Sequence, residues 1–511
     1  MYLSEFYSNK KNSPDFFGLF FVFIYKAHIY YDDFRYGGNR MINQIPTDAL
    51  RITKFLSDYE KAYLVGGCVR DMYMNKIPHD YDICTSVTPN EIIALMELNG
   101  YKTSDRSIKY GTVIVTGHDK EEYEVTTFRS ESNYSDSRHP SEVKFETDIV
   151  KDLERRDFTI NAIAYNPYTK EIADPFNGAD DIKNKVIKAV GNPYERFNED
   201  ALRILRAMRF AIKYDFEIEK ETQEAMISCA PKLNSISKER ITEEFKKIFE
   251  TGKPITDIFI KNAEIIKTII PEIEECIGFN QNNKYHKHNV FEHNLAVTDL
   301  CKSNKFEIKM AALLHDIGKP QSYTVDEEGN GHFYGHPKVS RDIATEVLAK
   351  DFCVTTKEKE RILDLVEFHD MEFEATENAV KRKLNKFGED FLRDWIVIKT
   401  ADRDDHIFPC GKENAKWYPK TELIEETLNE VIEKNNCFSI KDLAINGNDL
   451  MQELGLKPGK DIGIMLDNLL DDVIENEVEN DRESLLKKAE DYLIYPEIEE
   501  NEIEEPDEID L

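Results

Sequence analysis

The pattern of hydrophobic and polar positions changes character once along the chain. From about residue 60 to 165, short apolar runs such as Ala62–Val65, Gly111–Val115 and Tyr123–Phe128 alternate with helical stretches, which predicts a domain built on a small sheet. From about 180 onward, charged segments with helical periodicity (Glu199–Ile212, Lys238–Phe249, Phe306–Leu314) predict helices almost to the C-terminus. The expected fold class is therefore α+β: a small head with a β-sheet, followed by a long all-α body. No internal repeat is visible.

A length of 511 residues exceeds what one core organises, so two to four domains are expected, and a hydrophobic fraction of 41% suffices to fold them. The apolar run Phe16–Tyr25 is too short to span a membrane and no small-residue cleavage site follows it. Residues 1–40 read as an appended segment, with Met41 as an alternative start. Eight cysteines without any C-x-x-C spacing fit reduced thiols, which implies a cytoplasmic protein, and without a sufficient apolar span no membrane partner is expected. The net charge of −32 opposes a nucleic-acid partner, because phosphate contacts need Lys and Arg. Part of it is local: Glu497–Asp510 holds nine acids and no base and reads as a solvated, disordered tail. The remaining excess confines any RNA track to a basic stripe.

Residues 63–71, Tyr-Leu-Val-Gly-Gly-Cys-Val-Arg-Asp, run from an apolar strand through Gly66-Gly67 into a helix. Paired glycines let backbone amides approach a phosphate where a helix dipole favours an anion, although a plain turn uses the same residues. Further on, Asp80-Tyr81-Asp82 precedes the apolar Ile83. In a strand Asp80 and Asp82 project from one face while Tyr81 points away. Two adjacent carboxylates repel unless a cation lies between them, and Mg2+ fits that position; a solvated loop is the plainer alternative. Glu124, on a later predicted strand, supplies a third acid.

Gly66-Gly67, Arg70-Asp71, Asp80-x-Asp82 and Glu124 resemble the head of the class II tRNA nucleotidyltransferase and bacterial poly(A) polymerase family. The resemblance continues in order. Arg155–Asn161 resembles the family's ribose-recognition motif, Asp174–Gly178 its hinge, Glu199–Arg203 its base-reading motif, Arg196–Arg209 its neck helix and Ser237–Glu243 the helix-capping element. It covers roughly residues 50 to 250. It implies in-line attack by an RNA 3'-hydroxyl on the α-phosphate of a nucleoside triphosphate, with pyrophosphate leaving. Asp80, Asp82 and Glu124 would be catalytic, with Asp80 and Asp82 holding Mg2+. Gly66, Gly67, Arg70, Arg156, Asp157, Asn161, Asp200, Arg203, Arg206 and Arg209 would bind the nucleotide, and the partners would be tRNA, CTP and ATP.

The chemistry of these residues is compatible with those roles. On one helix, Asp200 and Arg203 at i and i+3 share a face and present an acceptor and a donor to a base edge; an intrahelical salt bridge is the alternative. Arg156, Asp157 and Asn161 either cap a helix or contact the sugar hydroxyl. Arg70 either faces the triphosphate or contacts Asp71.

Eight of the twelve histidines fall between residues 286 and 406. His293 lies in a predicted helix, His315-Asp316 follows an apolar run, and Asp402 lies in a third segment; together they offer mixed N/O ligands to a divalent transition metal such as Mn2+, Ni2+ or Co2+. His336, His369 and Lys319 are candidates for a second metal or for phosphate binding. Jointly these residues, with Gly318-Lys319, resemble the HD phosphohydrolase superfamily, which implies hydrolysis of a phosphoester such as a damaged or cyclic-phosphate RNA end. Near the C-terminus, Gly455, Pro458 and Gly459 predict a tight turn between helices, with Lys457 or Lys460 available to an RNA phosphate or simply part of a helical hairpin.

The expected organisation is an appended segment (1–40), nucleotidyltransferase head (41–180), base-recognising neck (181–260), HD domain (261–415), RNA-binding tail (416–495) and acidic tail (496–511). The expected function is template-independent addition or repair of the 3'-CCA end of tRNA, with a second activity in the HD domain. Poly(A) polymerase, or an enzyme adding only CC or only A, is the alternative within the same chemistry; residues 129–140, including Tyr134, Asp136, Arg138 and His139, fit the CCA-adding pattern. From another class, the chain could be an HD phosphohydrolase whose head only binds RNA, which the presence of both Asp80 and Asp82 disfavours.

Overall fold

The computed structural model describes residues 45–134, 140–282, 286–406, 420–434 and 439–494. Residues 1–40, Met41, Asp136, Arg138, His139 and the acidic tail lie outside them. The chain divides into two compact units, one running to Ile248 and including Glu264–Ile269, the other comprising Phe249–Ala263 and Ile270 onward.

The first unit is built on a seven-stranded sheet of order β3-β4-β5-β2-β1-β8-β9. These strands are β1 (Ala62–Val65), β2 (Ile83–Thr85), β3 (Lys102–Ser104), β4 (Thr112–Thr116), β5 (Glu122–Thr127), β8 (Ala164–Tyr165) and β9 (Ile172–Ala173). A separate hairpin pairs β6 (Arg129–Tyr134) with β7 (Pro140–Phe145). Helices α1 (Thr47–Tyr59) and α3 (Pro89–Leu98) pack on each other and on the sheet, and α2 (Gly67–Tyr73) follows β1 directly. The apolar stripe of α1 (Ala49, Ile52, Leu56) is fully buried. Thr88 and Glu91 close a capping box at the start of α3, with Pro89 in its first turn. All four β1 residues are buried, because Tyr63 and Val65 meet Phe128, Ile149 and Leu153 on the face opposite Leu64. Burial of side chains such as Ile52, Leu56 and Leu64 contributes about 1.5–3 kcal/mol each.

Helices α4 (Ile149–Glu154) and α5 (Gly178–Asn184) lead to the neck, where the expected single helix is two: α6 (Pro193–Glu199) and α7 (Leu202–Tyr214). Asp200 has an extended backbone (φ −148°, ψ 103°), and its carboxylate accepts the Leu202 amide at 3.1 Å. That local bond competes with helix continuation, as Asp side chains do at helix starts. Helices α8 (Lys220–Cys229) and α9 (Lys238–Glu250) complete the unit.

The second unit is a helical bundle formed by α10 (Val290–Leu300), α11 (Phe306–Leu314), α12 (His336–Lys350), α13 (Thr356–Phe368) and α14 (Glu389–Asp405). Helix α11 packs against α10, α13 and α14 and is buried at nearly every position, which explains its continuous apolar sequence. A separate core closes around Leu450, Leu469, Leu470, Ile474 and Leu485, carried by α15 (Gly447–Leu454), α16 (Lys460–Ile474) and α17 (Arg482–Ile494). Gly455 ends α15 in the left-handed region (φ 67°), where a side chain would be strained. The stretch beyond residue 180 is not wholly helical: Val186–Ile187 pairs with Glu217–Ile218, and Thr324–Val325 pairs with Gly331–His332. No helix among the described residues is long and apolar enough to cross a membrane.

Candidate functional site

In the head, Asp80 and Asp82 lie on the extended segment entering β2. Tyr81 between them is buried, so the two carboxylates face the other way, as alternation requires. Strand β2 runs parallel to β5 with Ile83 opposite Val125, which sets Asp82 beside Glu124 one step earlier. Burial, together with the Asp80 and Glu124 charges and against the pull of Arg156, pushes the Asp82 carboxyl up to about 6. The three acids therefore form one field whose negative charge Arg156 offsets only in part, which suits a divalent cation; ligand atoms from all three do not converge within 4.8 Å.

Gly66 has φ 77°, and a Cβ there would stand 2.8 Å from the Arg156 guanidinium. A side chain at this strand-to-helix turn is thus disfavoured by conformation and by space. Gly67 opens α2. Arg70 is buried: its Nε donates to Asp71 (2.9 Å) and Nη1 to the Asn161 amide oxygen (2.6 Å), with the guanidinium 4.8 Å from the Tyr214 ring centre. The contact foreseen between Arg70 and Asp71 is present.

Asn161 also donates to Asp157 (3.0 Å), and Arg206 donates to the same carboxylate from Nε (2.9 Å) and Nη2 (2.6 Å). Burial alone would raise Asp157, but Arg206 and Asn161 overcome it and hold the carboxyl well below its usual range. Arg209 donates to Glu244 of α9 at 2.7 Å. A continuous chain of polar groups, Asp71–Arg70–Asn161–Asp157–Arg206, thus ties the first helix of the head to the neck. Arg156 pairs with the fully buried Asp152 at 3.2 Å, as Arg155 does at 2.8 Å.

Asp200 and Arg203 do not share a helix, since the break at Asp200 separates them. Asp200 pairs with Arg240 of α9 (2.7 and 3.2 Å), and Arg203 pairs with Glu199 (2.7 Å). The intrahelical Asp200–Arg203 bridge is likewise not formed; two other partners orient the two side chains separately. Downstream, Asp174 caps α5 by accepting the Gly178 and Ala179 amides, and a Cβ on Gly178 would lie 2.1 Å from the Thr159 carbonyl oxygen.

In the bundle, the candidates converge tightly. His315-Asp316 emerges where α11 ends. His293 Nε2 lies 3.4 Å from Asp316 and 3.2 Å from Asp402, while His315 Nε2 lies 3.3 Å from Asp316 and 4.0 Å from Asp402. On the other side, His336 Nε2 and His369 Nε2 stand 3.1 and 3.5 Å from the second Asp316 oxygen. His293, His315 and Asp316 form one set of potential ligands, and Asp316, His336 and His369 a second. Lys319 Nζ contacts Asp316 at 2.5 Å and Gln281 at 2.9 Å.

The rings are oriented from behind. Nδ1 of His315, His336 and His369 contacts the carbonyls of Ala312 (2.8 Å), Phe333 (2.8 Å) and Val366 (2.6 Å), and His293 Nδ1 contacts Asp405 at 2.8 Å. A proton held on Nδ1 leaves the Nε2 lone pair aimed inward, the arrangement of a metal-ligating histidine. His293 Nε2, His315 Nε2 and Asp316 Oδ1 are buried without a hydrogen bond of acceptable geometry. Burial would lower His293, yet Asp402 and Asp405 raise it to about 9, so the site calls for positive charge. The donor set fits a divalent transition ion. Asp405 escaped the sequence reading; its spacing of three from Asp402 on one helix was the available signal. Arg240, Glu244 and Asp152 carried no comparable local signal.

With this geometry in view, three family models match the chain: "Poly A polymerase head domain" over residues 62–188, "Probable RNA and SrmB- binding site of polymerase A" over 215–276, and "tRNA nucleotidyltransferase domain 2 putative" over 347–489. The class is that of the nucleotidyltransferases. The CCA-adding enzyme of Streptococcus thermophilus is 33% identical over 433 residues, covering 83% of this chain and 92% of that protein. That of Enterococcus faecalis is 52% identical over 188 residues, 37% of this chain and 45% of that protein, so this match spans less than half of the relative's length. The crystal structure of the Bacillus stearothermophilus CCA-adding enzyme in complex with CTP superposes with a TM-score of 0.64 at 26% identity, covering 90% of this chain and 99% of that one. The chain belongs to the CCA-adding enzyme family.

Proposed function

We propose that this protein builds or repairs the 3'-CCA end of tRNA from CTP and ATP, without a nucleic-acid template. The observation that carries this reading is the Asp80–Asp82–Glu124 field on one sheet face, beside a neck tied to the head by Asp157 and Arg206. Mg2+ held by these carboxylates would supply charge neutralisation for the attacking 3'-hydroxyl and the leaving pyrophosphate. Arg70, Asn161, Asp157 and Arg206 form the rigid wall against which the ribose and triphosphate are placed. Asp200 and Arg203, oriented by Arg240 and Glu199, offer a carboxylate acceptor and a guanidinium donor to the base edge. The exposed lysines 457 and 460 at the turn after Gly455 are available to a tRNA phosphate. The test is to supply tRNAs ending before CCA, after C and after CC with CTP, ATP or both, and to sequence the products. CCA completion on all three supports the reading; runs of A on every end would replace it with poly(A) synthesis.

The convergence of four Nε2 atoms on Asp316 favours a second activity in the same chain. We infer that the bundle is an HD phosphohydrolase site acting on a phosphoester such as a cyclic-phosphate RNA end: water adds across a P–O bond of the ring and a monoester results. Mn2+, Ni2+ or Co2+ held by His293, His315, Asp316 and Asp402 would supply the Lewis acidity, and Lys319 would face the phosphate. Release of monoester from 2',3'-cyclic nucleotides, measured with each metal in turn, tests it.

A further inference from the structure

The mouth of the histidine–aspartate pocket carries an aromatic ring that the fold does not use. Tyr334 is 77% exposed, and among the described residues its hydroxyl meets only the His332 ring, at 3.5 Å. His332 lies parallel to it, with 5.4 Å between ring centres and 7° between planes. His332 is in turn anchored by Asp326 at 2.9 Å, and Asp326 accepts the backbone amides of Glu328 (3.0 Å) and Asn330 (2.7 Å). The short hairpin Thr324–His332, with Tyr334 just after it, thus presents two stacked rings to solvent. Gly335 turns the chain sharply with φ 73°, so that two residues after Tyr334, His336 reaches Asp316. Tyr334 and His332 line the same 420 Å³ pocket as Asp316, Lys319, His336 and His369, and that volume falls in the range of pockets that take a small organic ligand.

A flat, exposed aromatic surface at the rim of a polar pocket of nucleotide scale, with Lys319 and the histidines at its floor, matches a ligand with a flat base at one end and a phosphate at the other. We propose that Tyr334 is the stacking platform for the base of a nucleotide whose phosphate occupies this pocket. The proposal rests on the phosphohydrolase reading and narrows its substrate class to nucleotides or RNA ends, as opposed to base-free phosphate esters.

The experiment compares wild type, Tyr334→Ala and Tyr334→Phe on cytidine 2',3'-cyclic phosphate and on the same cyclic phosphate of methyl riboside, which lacks a base, with manganese present. Tyr334→Ala should raise KM for the cytidine compound on the order of tenfold or more, with kcat little changed. It should leave the base-free compound unaffected, and Tyr334→Phe should behave as wild type. An equal change on both compounds, or none on either, overturns the proposal. If wild type hydrolyses neither, the phosphohydrolase reading fails on its own, and calorimetric titration of cytidine 2'-phosphate into the manganese-loaded proteins decides the Tyr334 question, because the head binds alike in all three. Weaker binding by Tyr334→Ala than by Tyr334→Phe supports the platform, and equal affinities remove it.

Discussion

The head and the bundle both gather acidic side chains, but from different scaffolds and to different depths. In the head, Asp80, Asp82 and Glu124 reach one sheet face from two adjacent extended segments; Asp80 and Glu124 are exposed, and the three remain apart. In the bundle, His293, His315 and Asp316 are each at most 1% exposed, and all the inward-facing Nε2 atoms are held by hydrogen bonds from behind. An open sheet face leaves a shelf on which substrate phosphates can complete the coordination, as suits magnesium. A helical bundle closes a preformed cage, as suits a nitrogen-ligated transition ion.

Removing one acid from each site separates the two most sharply. Asp82→Ala should lower nucleotide addition on the order of a thousandfold while the fold persists, because the carboxylate removed is half-buried and repelled by Asp80 and Glu124. Retained incorporation, measured with radiolabelled CTP on a tRNA lacking CCA, would sink the assignment. Asp316→Asn should act on the other site: loss of the carboxylate common to both ligand sets should remove the bundle's share of manganese uptake, read by equilibrium dialysis and metal analysis, along with any phosphohydrolysis. CCA addition should continue near the wild-type rate. A folded Asp316→Asn protein that no longer adds nucleotides would show that the two sites are not independent.

Asp157→Asn should cost about 3 kcal/mol in urea unfolding, at the low end for a buried pair because Arg206 is one-third exposed and keeps Glu244 nearby. The sign with pH follows from the depressed carboxyl. The stabilisation by Asp157 is complete above the unfolded-state value, near 4, and is lost as pH falls toward the folded value. Wild type should therefore lose stability more steeply below about pH 4 than Asp157→Asn does; parallel profiles would refute the coupling. The smallest expected effect is Arg203→Ala, which should relax the choice between CTP and ATP by about 1–3 kcal/mol in kcat/KM. Unchanged selectivity with activity preserved would reduce Arg203 to a structural partner of Glu199.

Features that depend on short-range pattern were legible along the chain. The alternation at residues 80–82 placed both acids on one face, the apolar run ending at Leu314 placed His315-Asp316 at a helix end, and the Gly455–Gly459 stretch marked a turn between helices. Each is a matter of backbone period or of a residue's own φ preference, so neighbouring positions suffice. Partners distant in sequence were decided only by the tertiary structure. Asp200 and Arg203 looked like one helical pair, yet Arg240, 40 residues on, takes the carboxylate while Asp200 itself breaks the helix. Arg70 turned inward because Asn161, 91 residues away, accepts its bond. Asp405 orients His293 from 112 residues away. Hydrogen-bond competition among buried charged groups is settled by which partners the packed chain brings within reach, and no local pattern encodes that choice.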